Sequence, residues 1–60
     1  MQSDADYFRK RAGEERRAAQ AATTTSIHLL HLEFAHAYEL RVQLLAELAA
    51  ERIPELVKVA

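Results

Sequence analysis

The three histidines are the side chains best suited to binding a metal or to titrating near neutral pH. His28 and His31 lie three residues apart, a spacing that lets two imidazoles on one helix face chelate a metal ion. Glu33 and His36 form a Glu-x-x-His motif, the arrangement that di-iron helical bundles use. A dimer would supply this motif twice, with Glu15 as a further carboxylate.

Helical geometry argues against a metal site. At about 100° per residue, His36 lies about 160° from Phe34, which marks the apolar face of its helix. Two ligands alone also bind a metal weakly. We therefore expect neither a metal nor another cofactor. We expect His31 to hydrogen-bond to Glu15, Tyr38 or an arginine, a contact that is either pH-sensitive or simply structural.

A basic segment is the candidate contact for nucleic acid or an anionic surface. Its arginines are Arg9, Arg11, Arg16 and Arg17. Four carboxylates set against these arginines and Lys10 leave the first helix with one net positive charge, and the whole chain carries −1. A solvated helix face with ion pairs is the interpretation we favour, and anion binding is the alternative.

The sequence contains no obvious catalytic residues. There is no cysteine, and Ser3 and Ser26 stand where helix caps are expected. The single glycine rules out a glycine-rich phosphate loop. We therefore expect no enzymatic activity.

Two helices are expected to carry all of these residues. Helix 1 is predicted over residues 4–22, with Ser3 as its N-cap. Helix 2 is predicted over residues 26–53. The hydroxyl-rich run between them is a poor helix former, and Thr25 or Ser26 is expected to cap helix 2. A connection this short makes the two helices antiparallel neighbours.

The end of helix 2 is predicted from a proline. Pro54 disfavours a helical conformation at Ile53, so the helix should end there. Residues 54–60 then form a short helical turn or an ordered arm. Residues 1–60 make one small domain.

The two predicted helices differ in how much apolar surface they offer. The inward face of helix 1 is thin and consists of Ala5, Phe8, Ala12, Glu15, Ala19 and Ala22. The stripe of helix 2 is richer and consists of Ile27, Leu30, Phe34, Tyr38, Val42, Leu45 and Leu48. Helix 1 is shorter and reaches only to Val42 or Leu45.

Helix 1 leaves the leucines in the last part of helix 2 uncovered. These leucines predict self-association, because a monomer rarely exposes a large apolar patch. We expect an antiparallel helical hairpin that assembles into a homo-oligomer, a dimeric four-helix bundle. Its predicted interface consists of Phe8, Ile27, Leu30, Phe34, Tyr38, Leu45 and Leu48.

One group of proteins shares this pattern. The residues concerned are Tyr7, Arg11-Ala12, Glu15, Ala19 and Ala22, followed by His31-Leu32-Glu33-Phe34-Ala35 and Tyr38. Over about residues 5–42 the chain resembles short bacterial helical-hairpin proteins of alphaproteobacterial type, to which no activity is assigned. The resemblance implies a bacterial, cytoplasmic setting. Gly13 and the Thr23–Ser26 run depart from the pattern.

These patterns together predict a small homo-oligomeric helical module with a structural or interaction role. Its expected partners are further copies of itself and another protein docked in an apolar groove. A module that binds nucleic acid or an anionic surface is the alternative, and a metal-binding bundle is a third. Charged residues interrupt helix 2 and argue against a membrane span, and the polar N-terminus shows no signal peptide, so we expect a cytoplasmic protein.

Overall fold

The computed structural model of the chain describes residues 2–59, with side chains described for residues 2–50. Over these residues it contains two α-helices and no strand. Helix α1 spans Asp4–Ala21 and helix α2 spans Thr25–Val59. The prediction of an all-helical hairpin is confirmed.

Helix α1 begins at the predicted cap. The Ser3 hydroxyl accepts a hydrogen bond from the Asp6 backbone N–H at 3.1 Å, and the Ser3 carbonyl accepts one from Tyr7 at 2.9 Å. Asp4 and Asp6 place negative charge at the positive end of the helix dipole. The local sequence is therefore sufficient to fix where α1 starts.

The cap of α2 is Thr24, not Thr25 or Ser26 as predicted. The Thr24 hydroxyl accepts from the Ile27 N–H at 3.2 Å, and its carbonyl accepts from the His28 N–H at 3.0 Å. Consecutive hydroxyl residues are nearly equivalent as caps, so tertiary contacts select among them. The choice of Thr24 leaves a three-residue connection and brings His28 back to the end of α1.

Helix α2 continues to Val59, so the predicted end at Ile53 is wrong. Proline removes its own N–H and crowds the carbonyl of Ala50, but the residues around it keep their backbone donors. The bias that Pro54 exerts on Ile53 is therefore a preference that the surrounding helix overrides. Residues 54–59 extend α2 and do not form a separate arm.

The helices pack antiparallel through small residues. Ala12 and Ala19 on α1 and Ala35 on α2 are buried, at 5%, 1% and 0% exposure. Glu15 is the buried charged residue of α1. The predicted inward face of helix 1 is confirmed, because Ala5, Phe8 and Ala22 on that face are half-buried as well.

One face of α2 meets α1, and we call it the hairpin face. Its members recur at alternating steps of three and four and are buried or half-buried: His28, His31, Ala35, Tyr38, Val42 and Leu45. Beyond Leu45 every side chain through Ala50 is exposed. Helix α1 therefore covers α2 as far as Leu45, as predicted.

Candidate interaction surface

A carboxylate of α1 joins the two helices. Glu15 accepts a hydrogen bond from His31 Nδ1 at 2.8 Å and one from the Arg11 guanidinium at 3.2 Å. The predicted contact between His31 and Glu15 is confirmed. The hydrogen bond from His31 lowers the pKa of Glu15, against the opposing effect of burial. The site therefore holds Glu15 ionised and links α1 to α2 through it.

An aromatic layer closes the hairpin beyond this pair. Phe8 stacks on Tyr38 with ring centroids 6.0 Å apart. The Arg11 guanidinium lies 5.3 Å from the Tyr38 centroid, and that of Arg41 lies 5.3 Å from the Phe8 centroid. Each cation covers one ring, a cation–π arrangement that shields part of each ring from water. The half-buried Phe8 is thus engaged within its own chain.

His28 closes the opposite end of the hairpin. Its Nδ1 lies 2.7 Å from the Ala19 carbonyl oxygen, which only accepts, so Nδ1 donates the hydrogen bond. The same carbonyl accepts from the Ala22 N–H at 3.3 Å. A carbonyl left over at the end of α1 is satisfied in this way.

The described histidines do not assemble a metal site. His36 is exposed on α2. Among residues 2–50 no three histidine, aspartate or glutamate side chains converge to hold a metal ion. His28 and His31 each direct Nδ1 to α1, where it makes a structural hydrogen bond.

The candidate anion contacts are largely engaged by carboxylates. Arg9 pairs with Asp6 at 3.2 Å, and Arg11 pairs with Glu14 and Glu15. Arg16 reaches across the hairpin and makes a two-pronged ion pair with Glu39, with Nε at 2.8 Å from one carboxylate oxygen. A shallow groove of about 280 Å³ beside Gly13 lies between Arg9 and Arg16. Because both arginines have carboxylate partners, this groove is not a concentrated positive site.

A second face of α2 lies beside the hairpin face, and we call it the open face. It also recurs at alternating steps of three and four, and its members are Ile27, Leu30, Phe34, Ala37, Arg41, Leu44 and Leu48. All of them are exposed, and the large apolar ones are exposed by 42% to 53%. The open face is offset by one residue from the hairpin face, about 100° around the helix.

The predicted interface residues divide between these two faces. Four lie on the open face: Ile27, Leu30, Phe34 and Leu48. Tyr38 and Leu45 lie half-buried on the hairpin face, and Phe8 packs against Tyr38. The predicted interface omitted three members of the open face: Ala37, Arg41 and Leu44. A search for seven-residue spacing in addition to overall apolarity would have found them.

Comparison of the chain with protein-family models, with curated proteins and with solved structures gives no match. Within the part of the chain that the structure describes, neither helix combines the length and apolarity needed to cross a bilayer. The proposal that follows therefore rests on the geometry of the two faces.

Proposed function

We propose that this chain is a small self-associating helical module in which the open face of α2 binds a second copy. The observation that carries the proposal is the exposed heptad spacing of the open face beside an equivalent, covered hairpin face. Heptad spacing is the signature of helices that pack lengthwise. Two hairpins joined in this way form a dimeric four-helix bundle, with α2 of each chain at its centre.

The weak core of the single hairpin supports a second copy of the chain as the partner that covers the open face. The buried apolar residues are alanines, and no large side chain within residues 2–50 is fully buried. A chain of this size is marginally stable alone, and oligomerisation is a usual remedy in the absence of disulfides. Burial of Leu30, Phe34 and Leu44 between copies supplies the apolar area that α1 does not.

The biological role that fits such an assembly is structural or protein-binding. Two α2 helices side by side leave grooves along the bundle, and an amphipathic helix of another protein docks in such grooves. The proposal retains the bacterial cytoplasmic setting that the resemblance implies. Arg9, Arg11 and Arg16 pair with carboxylates of the two helices, which gives little support to nucleic-acid binding.

A matched pair of leucines tests the proposal. Leu44 on the open face and Leu29 outside it lie on the same helix and are 53% and 54% exposed. We expect Leu44→Glu to raise the dissociation constant of the dimer by about a hundredfold, because it places a charge in a desolvated seam. Leu29→Glu should leave the dimer intact, because Leu29 lies about 100° around the helix from Leu30.

Light scattering after size exclusion, across a concentration series, measures the effect. The wild type should be dimeric at high concentration. A wild type that stays monomeric throughout would contradict the proposal. Equal weakening by the two substitutions would show that the open face has no special role.

A further inference from the structure

We infer that the two copies pair with their α2 helices antiparallel, which places Arg41 of one chain beside Glu33 of the partner subunit. This inference rests on the self-association proposed above and specifies the geometry of that contact. It defines which residues face each other across the interface.

The position of Arg41 disfavours a parallel pair. Arg41 is the one charged member of the open face and lies among its apolar side chains. A parallel, in-register dimer would set Arg41 against the partner's Arg41 along the same seam. Like charges brought together where water is excluded oppose association. The Phe8 ring, 5.3 Å from the Arg41 guanidinium, belongs to the same chain and does not relieve that repulsion.

An antiparallel pair removes this conflict. Ala37 is the middle member of the open face, with three members on either side of it. A two-fold axis at Ala37 places Leu44 level with the partner's Leu30, so large apolar side chains meet on both sides of the axis. The small Ala37 at the centre lets the two helices approach closely. The two Arg41 side chains then lie on opposite sides of the axis.

The same register supplies Arg41 with a carboxylate. The two-fold axis at Ala37 brings Arg41 level with the partner's Glu33. Glu33 is exposed and lies at the rim of the open face, about 60° around the helix from Leu30. Within one chain, Glu33 and Arg41 are eight residues apart, about 12 Å along the helix, and do not meet. A pair between Arg41 and the partner's Glu33 therefore exists only in the antiparallel dimer.

A charge exchange tests the pairing directly. We expect Arg41→Glu to weaken the dimer about tenfold and Glu33→Arg to weaken it less, because each brings like charges together at both symmetry-related pairs. The double variant Arg41→Glu/Glu33→Arg should recover the dissociation constant to within about threefold of the wild type. Arg41→Glu combined with Glu47→Arg is the matched control, since Glu47 is exposed outside the open face, and it should show no recovery.

Single-cysteine variants give an independent test, because the chain has no cysteine of its own. Ile27→Cys, Ala37→Cys and Leu44→Cys are each treated with a short bismaleimide, and their mass and circular dichroism are checked. An antiparallel dimer cross-links only through residue 37, near the axis. Cross-linking through residues 27 and 44 as well shows a parallel pair.

The outcomes separate the two proposals. A wild type that is monomeric at every concentration overturns both self-association and its geometry. A stable dimer that cross-links through residues 27 and 44 overturns the antiparallel inference alone. A dimer whose double charge variant shows no recovery also overturns the inference and leaves self-association in place.

Discussion

The hairpin face and the open face of α2 run side by side with the same spacing, but their side chains differ in kind. The hairpin face presents His28, His31 and Tyr38, whose polar atoms or rings have defined partners on α1. The open face is mainly aliphatic, with Arg41 as its one charge. Polar contacts are directional, whereas apolar contacts depend mainly on the area removed from water.

This difference gives the two faces of α2 different roles in the structure. Hydrogen bonds from His28 and His31 fix the register of α1 on α2, because each imidazole has a single partner at a fixed level. These hydrogen bonds contribute little apolar burial, and the buried alanines of the two helices contribute little more. The open face carries most of the exposed apolar area of α2. The hairpin therefore has a specified shape, and under the proposed self-association its stability depends on assembly.

The largest effect on stability is expected on the hairpin face, when its buried alanine is enlarged. Ala35 is fully buried against α1, so Ala35→Leu should separate the helices and lower the free energy of unfolding by about 1–3 kcal/mol. Ala50→Leu makes the same change at an exposed position beyond the reach of α1 and should have little effect. Urea unfolding at one fixed protein concentration measures both. Similar losses in the two variants would mean that the hairpin face is not closely packed.

The pH dependence of stability should come from the hairpin face. Because His31 lowers the pKa of Glu15 in the folded chain, the unfolded chain binds a proton at Glu15 more readily. The stabilisation is therefore complete above the unfolded glutamate pKa of about 4.3 and is lost as the pH falls through the lower folded value. Helicity should decline over this acidic range, as followed by circular dichroism.

Two glutamine variants identify the group responsible. Glu15→Gln should flatten the acidic decline, because the titrating carboxylate is gone. Glu14→Gln, which removes the neighbouring carboxylate that bonds to Arg11 but not to His31, should retain it. An undiminished decline in Glu15→Gln would assign the pH dependence to other carboxylates.

The sequence alone predicted the two helices and the face of α1 that contacts α2. Periodicity identified α1 and its inward face, which includes the buried Glu15. These features depend on spacing along one helix, which is a property of the chain alone. The Ser3 cap is equally local, since its partner lies three residues away.

The division of α2 into two faces required the structure. Apolarity assigned Leu30 and Tyr38 to one stripe, although Tyr38 stacks on Phe8 of α1 and Leu30 is exposed. His28 and Ala35 belong to the hairpin face, but a polar residue and a small one carry little apolar signal. Their burial depends on the Ala19 carbonyl and the alanines of α1, which are brought near only by folding. The passage of α2 through Pro54 likewise depends on the helix around it.

The smallest predicted effect lies on α1, at its one glycine. Gly13 has no positive φ, and an added Cβ would meet only the Arg17 guanidinium, at 3.8 Å, an ordinary contact. Gly13→Ala should therefore raise the free energy of unfolding by about 0.5–1 kcal/mol, because alanine loses less backbone entropy on forming a helix. Thermal unfolding at fixed concentration measures the gain, and light scattering should show an unchanged dimer. Gly13→Pro, which cannot donate to the α1 backbone, is the opposing control and should unfold the helix. A loss of stability in Gly13→Ala would contradict the open space that the structure gives the added Cβ.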